Sequence, residues 1–530
     1  MTLIAKSTLK DTLLRFLKLI IIVLLFMSGY ANDYFPGRFF LGPPLALAIL
    51  FNEISSFKGI IKKNLYNLLV SLLFYLISCY WIIHISSFGM NYGGVTKESR
   101  IFFFVLFNSI PLIFFNIIEI PFIKKIAMKS RKDIRYLTYA ILFTFLEIYT
   151  PQIFPLASGN GWIEFSPYLK LAQIFGQPIF SFINCLFAFI FYEAIFHKTI
   201  LKKMLILACV LSTANFVAPI FYEKREDKTL NIRLVQPFTD GETKHYAELG
   251  NAHFISEIKE KLIVLSTALL KKKSPDLIIW PETSYPGGII ADKINSGLEP
   301  IDPFLMAIPN QLKSHLILGS YNYEIENGQK KRYNTAFHLS PHSKKVNFYN
   351  KNILIPFGET LPFGPFNKYL DKKKGEDKIS VGKEPTLFSI KEKEAFFSII
   401  ICLEVLYPRF VRRTINHFKK APTFLILLTN DYWYGDSLAP LQTINYVKWR
   451  SIEFNMPIVR SSTSGISKII YPDGSHLKEL GIYKQGFLDD TLYMKQESNK
   501  SLFHQWGYLN ISVLFILSFL LFLFPRSKVL

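Results

Sequence analysis

Residues 398–408 read SIIICLEVLYP. Ser398 and the three isoleucines after it form a short β-branched run of the kind that makes a buried strand. The run ends on Cys402, with Glu404 two positions further on. A thiol in that place is either small apolar filling or a nucleophile. The same ending recurs elsewhere: DLIIWPE sets Glu282 after an apolar run, and NFYNKNILIPFGE sets Lys351 after another, with Glu359 eight residues beyond. Working outward, LNIRLVQ, SHLILGSYNY, YNTAFHLS, PTFLILLTN, MPIVRSS and SKIIYPDGS also read as strands, with a polar helical stretch over about 246–272. Strands that are apolar throughout imply sheets covered on both faces, hence a layered α/β fold. A carboxylate, an ammonium and a thiol at strand ends can meet at one edge of a sheet as base, oxyanion stabiliser and nucleophile. Taken singly, each residue also has an ordinary role: a solvated Glu, a snorkelling Lys, a packed Cys.

The α/β part is only half of the chain. With 530 residues, half of them hydrophobic and 50 of them Phe, the chain is too long for one domain and too apolar for a soluble one. Hydrophobic segments fall at 12–29, 38–52, 66–87, 101–122, 136–150, 172–196 and 204–222, and again at 507–525. The second carries a Pro pair (FFLGPPLALAILF), and it and the fifth are shorter than a usual span. Glu147, at the end of the fifth, is costly in lipid and is expected to face protein or a polar cavity.

Basic residues cluster in alternate connections: Lys6, Lys10, Arg15 and Lys18; Lys58, Lys62 and Lys63; Lys124 to Arg135; Lys198, Lys202 and Lys203. By the positive-inside rule these lie in the cytoplasm. The expected organisation is therefore a membrane domain of seven transmembrane helices over 1–222, an extracytoplasmic domain over 223–505, and an eighth helix with a short cytoplasmic tail over 506–530, both termini inside. No small-residue cleavage site follows LLFMSGYAND, so the first segment is read as a retained anchor. The net charge of +21 then needs no nucleic acid. Residues 223–505 hold 39 Lys+Arg and 31 Asp+Glu, and the remaining 22 basic against nine acidic residues are mostly topology signal. Cys79, Cys185 and Cys209 lie in the hydrophobic segments and read as packing residues. Cys402 is alone in the outside domain, which excludes a disulfide scaffold there. The ten His residues show no metal-ligand spacing, so neither metal nor other cofactor is expected.

WPET (Glu282), YNKNILIPFGE (Lys351, Glu359) and ICLE (Cys402, Glu404), supported by LLTNDYWYG and MPIVRSSTSGIS, together resemble the nitrilase superfamily, whose catalytic Glu, Lys and Cys come in this order. With the hydrophobic segments, and with FLEIYTPQIFP and QIFGQPIFSF among them, the chain is most similar to the membrane-embedded branch, the apolipoprotein N-acyltransferases. The resemblance implies a polytopic α-helical membrane protein of the cell inner membrane with a periplasmic nitrilase-like α-β-β-α sandwich. It implies acyl transfer from a membrane phospholipid, through a Cys402 thioester, to the α-amino group of the diacylglyceryl-cysteine of apolipoproteins. Glu282 is then the proton acceptor, its carboxylate raised by burial, and Lys351 and the Leu403 backbone N–H stabilise the oxyanion. Glu359 positions Lys351 or relays the proton, and Glu404 supports the nucleophile loop. The partners are phospholipid, apolipoproteins and bilayer lipids, with the aromatics of FGPFNKYL and NDYWYGDS at the interface, Lys372, Lys373 and Lys374 near head groups, and the chain a monomer. Two positions depart from the family pattern: Leu403 stands where an aromatic is usual, and VQPFTDGETKHYAE lacks the Trp that is usual soon after the VQ strand. Both bear on acyl-donor preference. The competing readings are a membrane-tethered nitrilase-type amide hydrolase, a paralogue with altered donor or acceptor, and a transporter or assembly factor with a degenerate outer domain.

Overall fold

A computed structural model describes residues 2–30, 39–83, 96–118, 132–217, 219–220, 228–270, 274–326, 328–370, 378–494 and 500–523. Lys124, Lys125, Lys129, Arg131, Lys372, Lys373 and Lys374 lie outside them. The chain divides into two compact units, one of Met1–Ile82, Glu98–Ile220 and Ser501–Leu530, the other of Ile83–Lys97 and Phe221–Lys500.

The first unit is helical. Its helices are Thr2–Ser28, Gly42–Ser56, Ile60–Ser78, Lys97–Ile118, Lys132–Tyr149, Lys170–Phe175, Pro178–Phe196, Lys202–Phe216, Leu502–Trp506 and Leu509–Leu523, so each hydrophobic segment contains a helix. The Pro pair of the second segment occupies the first turn of its helix, where the missing N–H groups have no intrahelical partner to lose. Gly42 beside it is required by packing: a Cβ there would lie 2.0 Å from Ser28 Oγ. The sixth segment is broken at Gly176 (φ +78°), where a Cβ would meet the Phe503 ring at 2.5 Å. Three helices, Ile60–Ser78, Lys97–Ile117 and Pro178–Phe196, are long and apolar enough to cross a membrane. The 15-residue helices Gly42–Ser56 and Lys202–Phe216 are each about 22 Å long at 1.5 Å per residue, short of a hydrocarbon core of about 30 Å. Glu147 lies against a small cavity and accepts the backbone N–H of Ser158 at 3.0 Å. Cys79 and Cys185 are buried, whereas Cys209, expected to be a packing residue, is exposed.

The second unit is built on two sheets. The strands of the first are β1 (Thr229–Gln236), β2 (Leu277–Ile279), β3 (Gly288–Ile289), β4 (His315–Glu326), β5 (Gln329–Leu339), β6 (Asn347–Asn350) and β13 (Gly486–Tyr493). The second holds β7 (Leu387–Ile390), β8 (Ala395–Ile401), β9 (Phe424–Thr429), β10 (Ile458–Ser462), β11 (Ser467–Ile470) and β12 (Glu479–Leu480). The orders are β13-β1-β2-β4-β5-β6, with β3 on β4, and β12-β11-β10-β9-β8-β7. The centres, β1-β2-β4 and β8-β9-β10, are parallel, and the flanks are antiparallel.

Alternation along each strand divides its side chains between layers. Ile278, Leu316 and Leu318 pack with Ile258, Leu262, Leu305 and Ile308 of the Ala252–Thr267 and Pro303–Leu312 helices. Helices Pro408–Asn416 and Ala439–Phe454 pack on the second sheet. Between the sheets runs a buried polar seam. Ser467 donates to Gln236 Oε1 at 2.6 Å, and Gln236 donates to the carbonyl of Gly465 at 3.1 Å. The α/β expectation holds, although the short strands β3, β7 and β12, and the longer β13, lacked a signal strong enough to read from sequence.

Candidate active site

Glu282, Lys351 and Cys402, the candidate residues, each sit one to three positions past the end of a buried strand. Trp280 N–H still pairs with the Ile317 carbonyl (2.8 Å) before the chain leaves the sheet through Pro281 to Glu282. That exit is close because β4 carries Gly319: a Cβ there would lie 2.5 Å from Pro281 O and 2.7 Å from Glu282 Cα. Lys351 directly follows β6 and donates its N–H to the Asn334 carbonyl of β5 at 2.8 Å. Cys402 directly follows β8 and takes φ +54°, a left-handed backbone that costs a residue with a side chain about 1 kcal/mol.

Glu282 and Lys351 thus come from the first sheet and Cys402 from the second. The expected meeting place, one edge of a sheet, is corrected: these strand ends belong to two sheets. Convergence is a property of their stacking.

Lys351 Nζ lies 3.1 Å from Glu282 Oε1 and 3.0 Å from Glu359 Oε2. Asn334 Nδ2 donates to Oε1 of both carboxylates, at 2.8 Å and 2.9 Å. Glu282 Oε2 accepts the backbone N–H of Asn430, just past β9 of the second sheet, at 2.8 Å. Glu359 Oε2 accepts the Ile355 N–H at 2.9 Å. Lys351 is fully buried and Glu282 is 4% exposed. Glu404 forms a second cross-sheet anchor. Its Oε2 accepts the Ile401 N–H at 2.7 Å, and its Oε1 accepts the N–H groups of Asn352 (2.6 Å) and Ile353 (3.1 Å) and the Tyr349 hydroxyl (2.7 Å). One side chain therefore holds the backbone before the thiol and the backbone after the ammonium. Leu403 is buried in the turn Cys402–Leu406.

A carbon-nitrogen hydrolase family model matches residues 252–495. The apolipoprotein N-acyltransferase of Haemophilus ducreyi is 26% identical over 408 residues, covering 73% of this chain and 75% of that one. The apolipoprotein N-acyltransferase 2 of Treponema denticola is 26% identical over 503 residues, covering 87% and 88%. That of Bdellovibrio bacteriovorus is 27% identical, covering 70% and 69%. Over most of its length the chain is similar to apolipoprotein N-acyltransferases. Among solved structures, an amidase from Nesterenkonia sp. is 18% identical with a TM-score of 0.34, covering 55% of this chain and 99% of that chain.

The electrostatics of these residues follow from burial. Burial opposes the Lys351 ammonium, yet Glu282 and Glu359, together with Cys402, hold it well above the ordinary lysine value. Burial and then the charge of Glu282 push the Cys402 thiol well above its ordinary value, with Lys351 pulling the other way. At rest the Cys402 side chain is therefore a thiol rather than a thiolate. Burial pushes Glu404 up to about 7, against four donors that favour its charged form.

Asn334, Asn430, Tyr349 and Gly319 were not legible as site residues. Asn334 stood in a strand already recognised, where its inward alternation on β5 was the available signal. Asp431 beside Asn430 pairs with fully buried Arg460 at 2.6 Å, which fixes the loop after β9. Among the described residues no group of three or more His, Cys, Asp or Glu could hold a metal ion.

Proposed function

We propose that the chain moves a fatty acyl group from a membrane phospholipid, through a thioester on Cys402, to the α-amino group of the diacylglyceryl-cysteine that begins an apolipoprotein. The observation that carries this is the buried Glu282–Lys351–Glu359 cluster, which acts electrostatically on a buried thiol at the end of a strand of the other sheet. The relatives' printed names and the apolar helices supply the lipid context.

In the first half Glu282 takes the thiol proton as the sulfur attacks the ester carbonyl carbon. The oxyanion is met by Lys351 and the Leu403 N–H, and an ammonium inside a site that excludes water contributes a few kcal/mol. The ester C–O bond breaks, and Glu282 returns the proton to the departing lysophospholipid oxygen. In the second half the amine attacks the thioester carbon and Glu282 takes its proton. The C–S bond breaks, and the proton passes to the Cys402 sulfur as the amide forms. Glu359 and Asn334 hold Lys351 and Glu282 in register, and Glu404 holds the nucleophile turn.

The proposal extends to place. The helices make a multi-pass inner-membrane domain over 1–222 and 506–530, both termini are cytoplasmic, and residues 223–505 face the periplasm as a monomer's catalytic domain. Exposed Phe366 (65%) and Tyr369 (75%) are suited to a lipid interface. The test supplies purified protein with phospholipid and no amine. One acyl mass should appear, be released by hydroxylamine, be absent from Cys402→Ala, and pass to an added diacylglyceryl-cysteine peptide. Steady release of free fatty acid without an adduct means a hydrolase instead, and no adduct with any bilayer lipid refutes the proposal.

A further inference from the structure

The strand that carries Asn334 carries a cation as well. Arg332 lies two residues before Asn334 on β5, so both side chains leave the same face of the sheet. Across the ladder β4 sets Tyr321 opposite Asn334 and Tyr323 opposite Arg332. The Arg332 guanidinium lies over the Tyr321 ring, 5.0 Å from its centre, and Nε is buried without a hydrogen-bond acceptor. Stacking on a ring fixes the plane of a guanidinium and leaves its fork of N–H groups to meet a planar or tetrahedral anion.

Tyr321 belongs to the mouth of the candidate site. It lines one pocket with Thr283, which follows Glu282, and with Asn430, whose N–H holds Glu282. Burial and then Glu248 push its hydroxyl well above the ordinary value, with Glu359 and Glu282 adding and Arg332 pulling the other way. The charges around Arg332 have other partners. Glu282 and Glu359 are paired with Lys351, and Glu324 accepts the side-chain amides of Asn322 and Asn350 at 3.0 Å each. Glu248 lies 3.9 Å from Lys244, the other cation of the pocket, which donates to Thr283 Oγ1. Backbone pairing brings Ile379 and Ser380 beside Arg332. Asp371, Glu376 and Asp377, earlier in that segment, lie outside the described residues.

In a phospholipid the phosphorus is about five or six bonds from an ester carbonyl carbon, roughly 6–7 Å when extended. Two residues of a strand span about 6.7 Å. A carbonyl held at the Glu282–Lys351 cluster, which Asn334 ties together, therefore puts the donor's phosphate at the level of Arg332. We infer that Arg332 binds the phosphate diester of the acyl donor, its fork on two phosphate oxygens and its plane held by Tyr321, and so selects phospholipid over uncharged glycerides. This rests on the acyl-transfer reading of the site.

The test offers phosphatidylglycerol and diacylglycerol of the same chains to the full-length protein in mixed detergent micelles and reads the acyl mass added to Cys402. Diacylglycerol has the same esters and no phosphate. Arg332→Gln should lower the ratio of loading efficiencies, phosphatidylglycerol over diacylglycerol, by about thirtyfold, the factor for one charge-assisted contact. The loss should fall on KM rather than on the rate at saturation. Arg332→Lys, which keeps the charge but not the fork, should lower the ratio by less; if the glutamine variant does not fold, a several-fold fall in the lysine variant carries the test. An unchanged ratio in a folded variant, or equal losses with both donors, overturns the inference. Asp371→Asn, Glu376→Gln and Asp377→Asn together should leave the ratio as it is. A rise as large as the Arg332→Gln fall would make Arg332 an ion-pair partner of that segment and overturns the inference too. A separate arm uses the Cys402→Ala chain, with and without Arg332→Gln, and reads retention of the diether analogues of both lipids by native mass spectrometry. Retention of the phosphate lipid that depends on Arg332, in a protein whose wild type forms no adduct, removes the acyl-transfer reading and keeps the contact. An adduct in wild type, with retention indifferent to Arg332, does the reverse.

Discussion

Replacing Lys351 by Met tests whether the ammonium holds two buried carboxylates together. Lys351 sits 3.1 Å from Glu282 and 3.0 Å from Glu359 and is fully buried. The methionine roughly fills the stem's space but leaves two carboxylates tied to one Asn334 amide without a cation. Removing one partner of a buried pair costs about 3–5 kcal/mol, because it leaves charge uncompensated. For a unit of this size, about 2–4 °C per kcal/mol makes that a fall of order 10 °C in thermal midpoint. Adding Glu359→Gln removes one of the stranded charges. The double variant should therefore recover part of the loss, whereas Glu359→Gln alone destabilises by about 1–3 kcal/mol, because the Ile355 N–H loses its acceptor or faces a donor.

The pH dependence has a definite sign. Two uncompensated carboxylates have folded pKa values raised above their unfolded ones. The folded variant then binds more protons, and its stability is highest at low pH and lost as pH rises through the raised values. The gap to wild type should shrink as pH is lowered from 8 towards 5. The assay is intrinsic fluorescence during heating in detergent, alongside acyl loading of Cys402, which should be lost in both Lys351 variants. Additive costs, with no recovery in the double variant and no pH dependence of the gap, would refute the view of these three side chains as one electrostatic unit.

Gly319→Ala places a methyl 2.5–2.7 Å from the backbone of Pro281 to Thr283. It should cut acyl loading by about a hundredfold through displacement of Glu282, while circular dichroism shows the strands retained; full loading refutes that role. With Cys209→Ser removing the exposed thiol, iodoacetamide should modify Cys402 slowly at pH 7 and faster as pH rises towards and beyond the ordinary thiol value. The thiolate fraction grows only in that direction when the folded pKa is raised, and fast, pH-independent labelling would contradict it. Reporter fusions after Lys228 and at Leu530 should read outside and inside respectively, and the reverse pair removes the proposed orientation.

The sequence by itself determined the local features. Apolar β-branched runs such as SIIIC and DLIIW must be buried, so Glu282, Lys351 and Cys402 had to stand at strand ends. The hydrophobic segments had to be helices wherever they meet an apolar surround, because a helix satisfies its own backbone there. A charged residue beside an apolar run is visible because its burial is costly, and that is why Glu359 and Glu404 were legible as well. Only the tertiary structure decided which strand ends meet. Strand pairing is non-local, and local propensity does not say that β6 and β8 belong to different sheets whose stacking faces Lys351 with Cys402. Asn334 and the Asn430 backbone are neutral hydrogen-bonding groups that leave no charge or periodicity to read, yet they set the Glu282 carboxylate between the sheets.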